Sequence, residues 1–77
     1  MSSLASAAIG QRVRITRAEL DHDVSAWLAA VGLAEGEEVV VLRRAALGGP
    51  LHVRLSHGGE FAVARDIAQH LGIEVIA

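Results

Sequence analysis

The chain has no cysteine, no lysine and no tyrosine, a single proline, and only two aromatic residues, Trp27 and Phe61. Without cysteine there can be no disulfide, thiolate metal site or thiol nucleophile, and the redox compartment stays undecided. Basic charge is also scarce: seven arginines stand against nine Asp and Glu, a formal charge of −2. Nucleic-acid binders usually show a basic balance, often with aromatics for stacking, so nucleic acid is not an expected partner. No apolar run approaches the roughly 20 residues a membrane-spanning helix needs, and no direct membrane insertion is expected. The opening MSSLASAAIG is too short and too uncharged for a secretory signal, so the expected location is the cytoplasm.

What the chain does have is aliphatic bulk. Its 77 residues suffice for one domain, and 52% of them are hydrophobic, mostly Ala, Val, Leu and Ile. A domain of this size buries roughly 60% of the surface its unfolded chain exposes, so its stability margin is small. Such a composition predicts a compact aliphatic core with some apolar surface left for a partner.

Residues 1–8, rich in Ser and Ala, offer little to bury and read as a flexible tail. Residues 11–17 alternate, with Val13 and Ile15 on one side and Arg12, Arg14 and Thr16 on the other, which predicts a half-buried strand. Val24, Trp27, Leu28 and Val31 then repeat at helical spacing behind Asp23, a candidate N-cap, and Gly32 suits the helix end. On that stripe Trp27 is most simply a core residue. Residues 39–42 are apolar on both faces, and Leu51, Val53 and Leu55 alternate with His52, Arg54 and Ser56. A turn at 57–60 leads into a short strand at 61–63, a helical turn over 66–71 ending at Gly72, and a closing strand at 73–76. About five short strands with one or two small helices make a mainly β fold, and fit a small closed barrel.

The segment around which this pattern turns is the bend Ala45-Ala46-Leu47-Gly48-Gly49-Pro50. It joins two glycines free to take φ > 0 to a proline of fixed φ. Leu47 is an apolar residue that a plain solvent turn would not require.

In order along the chain, Ile9-Gly10-Gln11, the strand from Val13 to Ile15, Leu28-Ala29-Ala30-Val31-Gly32-Leu33, Gly36, Val39-Val40-Val41 and Ala46-Leu47-Gly48-Gly49-Pro50-Leu51 resemble the FeoA family. Phe61-Ala62-Val63, Ala68 and the strand from Ile73 to Val75 complete the likeness over residues 9–77. The resemblance implies an SH3-like β-barrel that binds protein and performs no chemistry, with no cofactor. The implied partner is the cytosolic part of FeoB, the membrane transporter of ferrous iron, and the implied docking residues are Ala46, Leu47, Gly48, Gly49 and Pro50. Ala26 and Trp27 stand where the family tends to have arginines, Glu35 where it has Pro, and Ala64 where it often has Arg. That substitution makes Trp27 a second candidate for partner contact, as an exposed anchor. The fold implied also resembles the SH3-like domain that ends iron-dependent repressors, so a detached regulatory domain of that kind is the alternative. A second copy of the chain is a further candidate partner.

Asp21, His22 and Asp23 put three metal-ligand types side by side, but adjacent residues rarely aim at one ion, and a cap with a solvated loop explains them better. His52, His57 and His70 are scattered and read as ordinary surface histidines. Asp21, His22, His52 and His57 remain the weak metal candidates; no physiological metal site is expected, because ferrous iron favours a spaced set of His and carboxylates. No serine sits in a Gly-x-Ser-x-Gly context, and neither Gly48-Gly49 nor Gly58-Gly59 opens a helix with a Lys as a phosphate loop would. An enzyme is therefore not expected.

Overall fold

A computed structural model describes residues 2–76. After a 3-10 turn at Leu4–Ser6 the chain forms β1 (Arg12–Ala18), α1 (His22–Ala30), β2 (Glu38–Arg44), β3 (Leu51–Leu55), β4 (Glu60–Val63), α2 (Arg65–Ala68) and β5 (Leu71–Val75). The strands form one antiparallel sheet in the order β4-β3-β2-β1-β5. The sheet is open, which corrects the expectation of a closed barrel. Closure would require β4 to hydrogen-bond β5, but α2 occupies the connection between them and β4 has only four residues.

Alternation sorts the sheet into two faces. Val13, Ile15, Val39, Val41, Leu51, Val53, Leu55 and Val63 are buried on the inner face. Leu28 and Leu33 from α1 and its exit, with Ala68 of α2, join them in one cluster. Across the outer face runs a ladder of charge. Arg14 donates to Glu74 at 2.9 Å and to Glu38 at 3.2 Å, Arg12 lies 3.7 Å from Glu38, and Arg54 lies 3.7 Å from Glu60. The Glu74 hydrogen bond, with help from Glu38, holds the Arg14 guanidinium above the usual arginine range.

Two expectations about the first third of the chain are corrected. The flexible tail drawn over residues 1–8 does not describe residues 2–8, since Leu4 is fully buried and Ala7 nearly so. Ser6 closes the turn by donating its backbone N–H and its hydroxyl to the Ser3 carbonyl, and Ser3 bridges Gly72 at the edge of β5. Met1 and Ala77, the outer ends of the expected tail and domain, lie outside the described residues. The N-cap is Asp21 rather than Asp23, which sits inside the first turn of α1; the Asp21 side chain makes no capping hydrogen bond. At the other end Gly32 takes φ 102°, the left-handed closing residue expected there. The second helix runs over Arg65–Ala68, shorter than expected, and both Leu71 and Gly72 belong to β5.

Candidate docking site

The bend between β2 and β3 is built by two features of its flanks. Between Val41 and Arg43 the register with β3 shifts: Val41 pairs with Val53, whereas Arg43 pairs with His52. Leu42 is thus the extra residue of a bulge, and simple alternation after Val41 would have turned Arg43 toward the core. The bulge instead aims Arg43 along the outer face, where its guanidinium meets His52 Nδ1 at 3.2 Å. Arg44, paired with Leu51, donates to the Ala5 carbonyl in the N-terminal 3-10 turn.

Beyond Arg44 the chain reverses within six residues, clamped by the Ala45 N–H donating to the Pro50 carbonyl at 3.0 Å and Gly49 N–H to the Ala46 carbonyl at 3.2 Å. The glycines divide their work differently from the expectation that both supply positive φ. Gly48 does, at φ 76°, but the second left-handed residue is Leu47, at φ 59°. Gly49 is needed for room, because a Cβ there would sit 2.7 Å from Ala45 Cβ and 3.2 Å from the Ala46 carbonyl oxygen. Leu47 is fully exposed, at 105% of its reference area. A left-handed Leu costs about 1–2 kcal/mol relative to its ordinary conformations, and none of that is returned by packing.

Two hollows flank the bend. One, of about 660 Å³, is open and lined by Gly48, Gly49, Pro50, Ala62, Ala64, Arg65, Asp66 and Gln69. The other is lined by Arg43, Arg44, Ala45, Pro50, Leu51, His52 and Ala62. Pro50 and Ala62 belong to both. Arg65 lines the larger hollow; its Nε is shielded from water without any hydrogen-bond partner and lies 3.9 Å from where a Gly48 Cβ would be.

Four of the expected docking residues therefore stand together: Leu47 at the tip, and Gly48, Gly49 and Pro50 in the wall, with Ala46 exposed beside them. Trp27 does not join them and lines neither hollow. It is 52% exposed, which corrects its placement in the core; its ring leans on Phe61, centroid to centroid 5.4 Å at 59°. Leu28 takes the buried position of the α1 stripe instead. Sequence reasoning missed Arg43, Arg44 and Arg65. The first two adjoin the bend in sequence, but the bulge that aims them leaves no sequence signal.

The metal candidates do not converge, and among the described residues no group of three or more His, Asp, Glu or Cys could hold an ion. Asp21 and His22 are exposed at the start of α1. His57 rests its imidazole against Gly32, whose Cβ would lie 2.5 Å from the ring. His52 is held on both sides: Arg43 can only donate, so Nδ1 accepts, and the Nε2–H donates to Glu60 at 2.9 Å.

The fold and this surface define a small all-antiparallel module with two short helices, carrying an apolar loop tip beside an arginine-lined hollow. The chain belongs to the FeoA domain family, whose model matches residues 2–75. Among solved structures, iron(II) transport protein A from Clostridium thermocellum is 24% identical (TM-score 0.88), the match covering 97% of this chain and 46% of that one. FeoA from Stenotrophomonas maltophilia, complexed with zinc, is 19% identical with TM-score 0.72 over 96% of this chain and 91% of its own; it is described as an SH3 domain protein and a candidate ferrous iron transport activating factor. A manganese-dependent transcriptional repressor in complex with manganese is 17% identical with TM-score 0.85, over 97% of this chain and 36% of the repressor. At these identities the likenesses establish the fold. No protein of curated function matches the chain. Among the described residues no helix is long and apolar enough to cross a membrane.

Proposed function

We propose that this FeoA-family protein is a non-enzymatic, cytoplasmic accessory of ferrous iron uptake, and that its SH3-like domain docks on the cytosolic part of a FeoB-type transporter through residues 45–50. Family membership supports the pathway. The observation that carries the docking site is Leu47, held left-handed and fully exposed at a loop tip. Strain of this kind persists where surrounding structure enforces it, and it clusters at clamps and binding sites. The experiment is co-purification of the chain with the cytosolic domain of the FeoB from the same genome, wild type against Leu47→Asp. Recovery of the wild type with loss of the variant is the expected result. Equal recovery of both takes the bend out of the interface, and failure of both removes this transporter as partner.

A second reading has one observation in its favour, the shared fold with the repressor at TM-score 0.85 over 36% of its length. In that reading the chain is a regulatory domain acting on a transcription factor. Pull-down of a repressor rather than the transporter from the native cytosol would favour it.

A further inference from the structure

The distribution of ion pairs singles out one end of the molecule. Of the seven arginines, Arg12, Arg14 and Arg54 face carboxylates on the outer sheet face, and Arg17 faces Glu19. Arg43, Arg44 and Arg65 have no carboxylate within ion-pair distance among the described residues, although acids outnumber arginines in the chain. These three are not scattered. They line the two hollows that meet at Pro50 and Ala62 beside the bend that carries Leu47, with Asp66 as the one acid in either wall. Glu35 and Glu37 precede β2 and Arg43 and Arg44 end it, so charge is polarised along that strand.

We propose that the bend docks on an acidic protein surface, whose carboxylates pair with Arg43, Arg44 and Arg65 around a socket for Leu47. The inference rests on the reading of residues 45–50 as a docking site and adds the chemistry of the partner. A guanidinium offers a planar fork of donors that fits a carboxylate two bonds at a time. Arg65 Nε donates to nothing within the chain, leaving donor capacity on that guanidinium unused. Phosphate polymers fit less well: the tip is apolar, no Trp, Tyr or Phe lines either hollow, and the whole chain is net negative. Cations beside an apolar tip also make encounter fast and selective, while Leu47 sets how long the complex lasts.

The test uses the full chain, isotope-labelled, with a short peptide of glutamate and leucine as probe, its lysine counterpart, and an oligothymidylate. Amide NMR shifts with the acidic peptide should cluster at residues 43–50 and 62–65. Raising the salt from about 50 to about 300 mM should weaken binding by about tenfold, as screening of exposed charge requires. Arg43→Glu with Arg65→Glu should abolish it while the spectrum keeps its dispersion, and the Arg43→Gln, Arg65→Gln pair serves if charge reversal perturbs the fold. The proposal is overturned by shifts confined to the Arg12, Arg14 and Arg54 ladder, by undiminished binding in the double variant, or by equal binding of the lysine peptide or the oligothymidylate. Sedimentation of the chain alone as a self-associated species would also overturn it, giving the acidic surface to a second copy. The transporter's cytosolic domain separates the two readings. Peptide binding at the bend without transporter binding refutes the transporter and leaves the acidic partner standing. Transporter binding that ignores both salt and the double variant does the reverse.

Discussion

Leu47→Asn should make the protein more stable and less able to bind. In the folded chain the Leu47 side chain touches nothing that its removal would expose, because it is already fully exposed. Its backbone sits at φ 59°, where a Leu is disfavoured by about 1–2 kcal/mol and an Asn much less. Relief of part of that strain should contribute about 0.5–1 kcal/mol. At about 2.1 cal/mol/K of unfolding entropy per residue, the 77-residue domain should gain roughly 3–6 °C in Tm. Leu47→Gly removes the strain more fully but gives back about 0.5–1 kcal/mol of backbone entropy, so it should fall between wild type and Asn. Calorimetry reads the first half, and titration against the cytosolic domain of the proposed transporter partner the second, where loss of the proposed apolar anchor should weaken binding by at least about tenfold. A Tm that falls in the Asn variant would refute the strain assignment. A raised Tm with undiminished affinity would keep the strain but refute its purpose.

Leu4→Ala should lower stability by about 2–4 kcal/mol, as expected for a fully buried leucine, whereas a detached tail would leave the denaturant midpoint unchanged. Gly49→Ala should cost about 1–3 kcal/mol by overpacking, because its Cβ would meet Ala45 Cβ at 2.7 Å, a contact between two short groups that cannot swing aside; a neutral effect in thermal melts would show the bend to be loose. Arg14 carries a raised pKa, so its contribution is fully present below the ordinary arginine value and is lost only as pH climbs through the higher folded one. Replacing Arg14 with Met should therefore change Tm equally at pH 6 and pH 9, and the difference should shrink in high salt, since the pairs are exposed. A difference that persists in high salt would show packing rather than charge to be its source.

The strands were legible because alternation is local: Val13 with Ile15, and Leu51 with Val53 and Leu55, declare the buried face without reference to the rest of the chain. The bend was legible for a similar reason, since two glycines and a proline between two such runs leave few other conformations. Trp27 shows where this stops. A 3.6-residue period marks a helix, but it does not say how wide a stripe the sheet will cover; the inner face takes Leu28 whole and leaves Trp27 half in water beside Phe61. Leu4 has no periodic company and gave no signal, and sheet closure is a relation between β4 and β5 that no local pattern encodes. The arginines are the deepest case. Composition alone suggests a chain with too little positive charge for electrostatic docking, but cross-strand pairing neutralises Arg12, Arg14 and Arg54 against Glu38, Glu60 and Glu74, and the Leu42 bulge carries Arg43 outward. What matters for a partner is the charge left over after pairing. Here it falls beside the bend that carries Leu47, a fully exposed leucine that the core does not need.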